Sequence, residues 1–230
     1  LFTITRDEIV DKGKRIAAQL LECSEEDLEY VDAAFRVSGT DRATGLFDVA
    51  RAANEDARDL PKDLQGPLRA TTLIDKPMPA YPNGCHVAEV EIDPETGACI
   101  LVRYTAVDDC GRVVNPMIVD GQVHGGIGQG VGQALWEEVA YDRETGQLLT
   151  GSFMDYVMPR ADHLPMFTVG HNEVLTPTNR MGAKGGGEGG TTPAPAAIVN
   201  AICDALRDYG VEHIQMPVTS EKISRAITGT

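Results

Sequence analysis

Apolar positions first recur at helical spacing between Arg6 and Leu21, where Ile9, Ile16, Ala17, Leu20 and Leu21 fall near a 3.6-residue period and Gly13 interrupts the run. Cys23–Glu29 reads as an acidic turn, with Ser24 and Asp27 placed like a short N-cap. Phe35–Thr40 alternates like a strand, and Leu46–Ala53 reads as a short amphipathic helix. Ala57–Arg69 is charged, carries Pro61 and Pro67, and has no apolar period, so it reads as a linker. These patterns predict a small N-terminal unit over residues 1–68 and a larger one over 69–230.

The pattern then changes to strands. His86–Ile92 alternates, Asp93-Pro-Glu-Thr-Gly97 supplies turn chemistry, and Ala98–Thr105 returns as a hairpin partner. The same logic predicts a second hairpin, Glu138–Tyr141 with Leu148–Tyr156, around Asp142-Arg-Glu-Thr-Gly146. Between them, Gly121–Glu138 keeps helical spacing at Ile127, Val131, Ala134 and Leu135 although it is dense in glycine. Each glycine costs a helix on the order of 1 kcal/mol against alanine. Such a face is expected to lie close to something, either a ligand or a neighbouring helix. The same segment is the expected place for an exposed apolar face and self-association.

The last helix is expected from Thr192 as cap, Pro193 or Pro195 in its first turn, and a stripe of Ile198, Ala201, Ile202, Ala205, Leu206 and Tyr209, ending at Gly210. Strands and helices in runs rather than strict alternation predict an α+β fold. Ahead of that helix, Glu188 stands among the glycines 185–187 and 189–190. Glycine lets backbone approach a bulky ligand, and a helix start adds free N–H groups and the positive end of a dipole. A lone acid there is a candidate general base. A Gly-rich loop with a solvated Glu remains the alternative at this point.

Composition narrows the partners. The formal charge of −15, with no basic cluster, excludes nucleic acid and anionic membrane surfaces. No apolar run reaches the length of a membrane span and no signal-peptide pattern opens the chain. Leu1-Phe-Thr-Ile-Thr reads like the middle of a longer chain, an excerpt or a processed subunit. The five cysteines and five histidines show no metal-ligand spacing, so no metal ligands are expected from the protein. Free thiols, four of them core residues, predict a cytoplasmic setting.

Several motif readings fail. Gly185-Gly-Gly-Glu-Gly-Gly190 matches the dinucleotide pattern in form, but Thr176–Met181 ahead of it is no buried parallel strand. Gly182-Ala-Lys-Gly lacks the Lys-Ser/Thr order of a phosphate-binding P-loop. What remains is two Gly-rich segments that could grip one large anionic cofactor through backbone N–H groups, with Lys184 offsetting phosphate charge.

Asp109-Cys-Gly-Arg-Val-Val-Asn-Pro-Met-Ile-Val-Asp-Gly-Gln-Val-His-Gly-Gly126, followed by Gly182-Ala-Lys-Gly-Gly-Gly-Glu188 and the Pro-Ala-Pro-Ala helix, closely resembles the molybdenum-binding large subunit of the xanthine dehydrogenase/aldehyde oxidase family. Gly121-Gln-Val-His-Gly-Gly and Ser152-Phe-Met-Asp-Tyr bring it nearest the bacterial carbon monoxide dehydrogenase-type large chain. The resemblance implies an α+β second half of the molybdopterin-binding region. It makes Glu188 the catalytic base beside the molybdenum and Gln122 a cofactor contact. It makes His124, Gly125, Gly126, Lys184, Gly185, Gly186 and Gly187 part of the cradle for molybdopterin, in its cytosine dinucleotide form. The metal is held by the cofactor's own dithiolene.

The resemblance further implies an oxidoreductase component, inactive as an isolated chain, working with the N-terminal half of the large subunit in a cytoplasmic oligomer. Iron–sulfur and FAD groups would sit on partner subunits, and the substrate would be a small molecule: carbon monoxide, an aldehyde, a purine or another N-heterocycle. A non-catalytic interaction module that binds no cofactor on its own is the alternative class.

Overall fold

A computed structural model of the chain describes residues 2–55, 57–74 and 78–229, which form two compact units, Leu1–Pro77 and Met78–Thr230. The first unit packs helix α1 (Phe2–Leu20) and helix α2 (Leu46–Asn54) with an antiparallel sheet of β1 (Leu28–Val31), β2 (Ala34–Val37) and β3 (Ala43–Gly45). Ile16, Ala17, Leu28, Phe35, Val49 and Ala53 form its core. Gly13, which interrupts the apolar period of α1, is required by packing: a Cβ there would lie 2.6 Å from Phe35 Cζ.

The expected acidic turn is a single 3-10 turn over Glu25–Asp27, with the Ser24 hydroxyl accepting from Glu26 N–H. It runs straight into β1, a strand the alternation did not reveal because only four residues long, one of them buried, make it up. Asp32 and Ala33 close the β1–β2 hairpin with φ of 49° and 58°, as a two-residue turn between twisted strands demands.

In the second unit β4 (Asn83–Ile92) and β5 (Cys99–Asp109) form the expected hairpin. The Asp93 carboxylate accepts from Glu95 N–H at 2.9 Å and Thr96 Oγ1 at 2.6 Å. Strand β6 (Thr168–His171) adds in parallel to β5, with Asp108 opposite His171. Helix α3 (Pro116–Leu135) starts earlier than its apolar period showed, because Asn115 Oδ1 caps Ile118 N–H and Pro116 opens the first turn. Helix α4 (Ala194–Ala205) packs on α3 and β4.

The second expected hairpin does not form. Asp142 makes the same turn as Asp93, but among the described residues its flanks meet at one bridge, Tyr141 to Leu148. Turn chemistry alone does not hold two strands together; a hairpin needs a buried face, and Tyr141, Leu148 and Leu149 are exposed. The expected Thr192 cap is also displaced, since Pro193 precedes the first helical residue without a side-chain cap. Helix α5 (Ser220–Thr228), capped by Thr219 Oγ1, escaped the sequence reading. Its signal was present in the Thr219 cap and the spacing of Ile223, Ala226 and Ile227.

The core of this unit contains Tyr104, Ala106, Val123, Ile127, Val131 and Ile198. Most of the α3 face expected to be open is therefore buried, and the exposed large apolar residues lie at its start, Met117 and Ile118. Cys23, Cys99 and Cys203 pack partly buried against the two cores and Cys110 is buried, whereas Cys85, also expected in the core, is exposed. Among the described residues no helix is long and apolar enough to cross a membrane.

Candidate functional site

The loop carrying Glu188 is fastened where β5 ends. Gly182 C=O accepts from both Arg112 N–H and Thr176 N–H at 3.1 Å, and Lys184 N–H donates to Cys110 C=O at 2.8 Å. Gly182 takes φ of 70°, and a Cβ there would press on Leu175. The Lys184 ammonium donates to Asp109 Oδ2 at 2.5 Å, with both side chains almost fully buried. Asp109 also accepts from Gly111 N–H and Val174 N–H. These bonds, Lys184 first, hold its carboxyl down at a pKa of about 2. The Lys184 charge, expected to face a phosphate, is thus met inside the protein by a carboxylate.

The far end of the loop lies on α3. A Cβ on Gly190 would stand 2.3 Å from Val123 O, and one on Gly126 would stand 2.7 Å from Thr191 N. A Cβ on Gly130 would stand 2.6 Å from Ala194 Cβ. Thr191 Oγ1 donates to Gly126 C=O at 3.1 Å. One glycine stripe of α3 therefore serves the approach of the loop and the start of α4, which is the neighbouring-helix alternative weighed from the sequence. Gly121 and Gly125 lie on the other side, where an added Cβ would meet nothing within 4 Å.

Of the expected site residues, Gln122 and Gly187 are brought together, and the others stand as follows. Gln122 is exposed, and its Oε1 lies 3.9 Å from where a Gly187 Cβ would stand. Gly185 is open, whereas Gly186 faces Cys110. His124 is half-buried and packs edge-on against Phe167, with ring centroids 5.6 Å apart. Glu188 is exposed and lines a cleft of about 270 Å³ with Asn83, Gly84, Asp108 and Thr192. It lies six residues before α4, and its carbonyl accepts from Thr192 N–H.

Behind Asp108 in the wall of this cleft runs a buried polar chain that the sequence reading passed over. His86 on β4 stands opposite Ala106, between Tyr104 and Asp108 on the same face of β5. The small, fully buried Ala106 leaves room for the ring. His86 Nδ1 lies 2.9 Å from Tyr104 Oη, and Nε2 lies 3.1 Å from Asp108 Oδ1. The signal was available as the strand alternation of 104, 106 and 108 across from 86, but pairing register cannot be fixed from one strand alone.

A family model described as the molybdopterin cofactor-binding domain matches residues 4–165. The chain belongs to this family. The match stops short of Glu188, but individual molybdopterin-domain relatives align through it. The nicotine 6-hydroxylase large subunit of Paenarthrobacter nicotinovorans is 40% identical over 93% of this chain and 26% of its own length. The carbon monoxide dehydrogenase large chain of Hydrogenophaga pseudoflava is 34% identical over 94% of this chain and 26% of its own. The crystal structure of the Cu,Mo-CO dehydrogenase in its carbon monoxide-reduced state superposes with a TM-score of 0.87 at 34% identity, over 97% of this chain and 28% of that one. The α+β architecture is that of the same region of the carbon monoxide dehydrogenase large subunit. This molybdopterin-binding chain spans about a quarter of the length of the curated relatives it matches.

Proposed function

We propose that this chain is the C-terminal cofactor-binding part of the large subunit of a molybdenum hydroxylase, oxidising a small carbon substrate with water-derived oxygen and using Glu188 as general base. The observation that carries the reading is the meeting of two open backbone surfaces. Gly121 and Gly125 on α3 and Gly185 in the loop have no side chain over them, and Gln122 reaches toward Gly187 between them. A molybdopterin fits this lining: the loop N–H groups of Gly185 and Gly187, the bare helix face at Gly121 and Gly125 and a primary amide suit a large anionic heterocycle better than a bare metal ion. Gln122, Gly125, Gly185 and Gly187 would hold it, with His124 behind them. Gly126 and Gly186 support the cradle through their close packing, and Lys184 supports it by tying the loop to Asp109.

When bound, the cofactor supplies two-electron redox chemistry. The chain's part is positional and acid–base. The Asp109–Lys184 pair and the Gly182 carbonyl fix the loop, so Glu188 meets the cleft from a defined direction. Its carboxylate takes the proton given up by the attacking oxygen, a role that typically contributes about 10²- to 10⁴-fold. Glu188 is exposed in this chain, and the base role requires cover from the N-terminal half of the large subunit. Iron–sulfur and flavin subunits, the cytosine dinucleotide form of the cofactor, a homo-oligomer and a cytoplasmic location complete the proposal.

The test is turnover per bound molybdenum in the assembled enzyme. Glu188→Gln keeps size and polarity while removing the proton acceptor. Cofactor loading is expected to persist and turnover per metal to fall by about 10²-fold or more. Near-normal turnover would reduce Glu188 to a polar loop residue.

A further inference from the structure

Asp108 differs from its neighbour in how its charge is met. Asp109 has the Lys184 ammonium, whereas the ion pairs recorded for the described residues give Asp108 only His86. Hydrogen-bond chemistry orients that imidazole. An ionised carboxylate only accepts, so Nε2 carries the proton; in a neutral ring Nδ1 must then accept from the Tyr104 hydroxyl. Tyr104 is fully buried, and burial pushes its phenol well above its ordinary range, so it stays a donor. Among the described residues no Lys or Arg is paired with Asp108.

Both glycines flanking the carboxylate leave it uncovered. A Cβ on Gly84 would fall 2.1 Å from Asp108 Oδ1, so no side chain fits there. A Cβ on Gly189 would stand at 3.7 Å from Oδ2, an ordinary contact, yet the position is glycine. The side chain is only 9% exposed, and what it exposes looks into the cleft that Glu188 lines. A carboxylate this far from water is costly unless a donor meets it.

We propose that Asp108 is a specificity-determining residue of the Glu188 cleft, an acceptor-only wall that selects cationic, N–H-bearing ligand groups and turns anions away. Tyr104 and His86 are its positioning residues. The inference rests on the reading that this cleft is the substrate-side face of the site.

Acetamidinium and acetate are near-isosteres of opposite hydrogen-bond character, and they serve as probes. Their binding to the cofactor-loaded holoenzyme is read from broadening of the methyl NMR signal, independently of turnover. Acetamidinium is expected to bind, with acetate weaker by about tenfold or more, the span of a charge-assisted hydrogen bond. Asp108→Asn is expected to erase the preference. Gly189→Ala, which shields the carboxylate without changing its charge, is expected to weaken acetamidinium alone and stands in if Asp108→Asn fails to fold. Tyr104→Phe is expected to perturb the single Nε2–H tautomer of His86 seen by ¹⁵N NMR and to weaken the preference only in part.

Absent binding of acetamidinium, equal affinity for the two probes, or a preference that survives in Asp108→Asn and Gly189→Ala would overturn the proposal. Glu188→Gln keeps the two readings apart. Lost turnover with an Asp108-independent preference would sink this inference and leave the base standing. Retained turnover with an Asp108-dependent preference would do the reverse.

Discussion

Adjacent glycines on α3 are expected to respond differently to the same methyl group. Gly125→Ala adds a side chain where nothing lies within 4 Å, so the helix gains the alanine advantage of about 1 kcal/mol. Gly126→Ala gains the same propensity but drives a carbon to 2.7 Å from Thr191 N and 3.0 Å from Gly190 Cα. Both obstacles are backbone, which cannot swing aside as a side-chain tip can, and overpacking of this kind costs about 1–3 kcal/mol. The two variants should therefore separate by about 1–3 kcal/mol, and a domain of this size shifts about 2–4 °C per kcal/mol. Thermal unfolding of the cofactor-free chain followed by circular dichroism reads the difference. Molybdenum and pterin content of the assembled large subunit supplies the second readout. Gly125→Ala is expected to raise Tm and lower cofactor loading, because its methyl fills open cradle. Gly126→Ala is expected to lower Tm relative to Gly125→Ala and to disturb loading only through the displaced loop. Equal Tm values for the pair would refute the packing argument, and normal loading of Gly125→Ala would remove Gly125 from the cradle.

Other expectations follow from single contacts. Ala33→Gly should raise Tm, since a left-handed backbone costs an L-residue roughly 1–2 kcal/mol and Ala33 sits at φ of 58°; an unchanged or lowered Tm counts against the hairpin geometry. The Asp109 carboxyl lies below its ordinary value, so its stabilisation is complete above about pH 4 and fades toward about pH 2 as the group takes up a proton. The stability gap between wild type and Lys184→Met should shrink across that window, and a gap independent of pH would separate Lys184 from Asp109. Gln122→Ala is expected to lower cofactor occupancy while changing turnover per molybdenum less than Glu188→Gln does, and the reverse ranking would exchange their roles.

The elements with a long period were legible in the sequence, and the short ones were not. α4 and the β4–β5 hairpin carry enough buried positions to impose their spacing, whereas β1, β3 and β6 have three or four residues each and leave no period to count. The Asp142 turn misled because local turn chemistry is identical to that of Asp93, while the buried face that decides pairing lies elsewhere in the chain. Glycine carried the most information and the most ambiguity. Its density on α3 announced close approach, but only three-dimensional neighbours separate Gly126 and Gly130, which meet the loop and α4, from Gly121 and Gly125, which meet nothing.

The acidic pair at the end of β5 marks where sequence reasoning runs out. Asp108 and Asp109 are adjacent and chemically identical, and strand alternation turns them to opposite faces. One face brings Lys184, 75 residues away, into contact at 2.5 Å and so fastens the Glu188 loop. The other face brings His86 and Tyr104 behind a carboxylate that looks into the cleft. A single-residue slip of β4 against β5 would exchange the faces presented to His86 and dismantle its position between Tyr104 and Asp108. The two roles are therefore a property of register. That register is set by the Asp93 turn at one end of the hairpin, by the one-residue register shift between Glu89 and Val90, and by Gly84 at the other end, where Asp108 admits no side chain. A Gly84→Ala substitution is the sharpest probe of this dependence. It leaves every polar group in place but cannot coexist with the observed Asp108 position. The acceptor wall and the His86 tautomer should be lost together while the Asp109–Lys184 pair persists. Loss of the Asp109–Lys184 pair in the same variant, read from the pH dependence of stability, would show that the two faces are not independent.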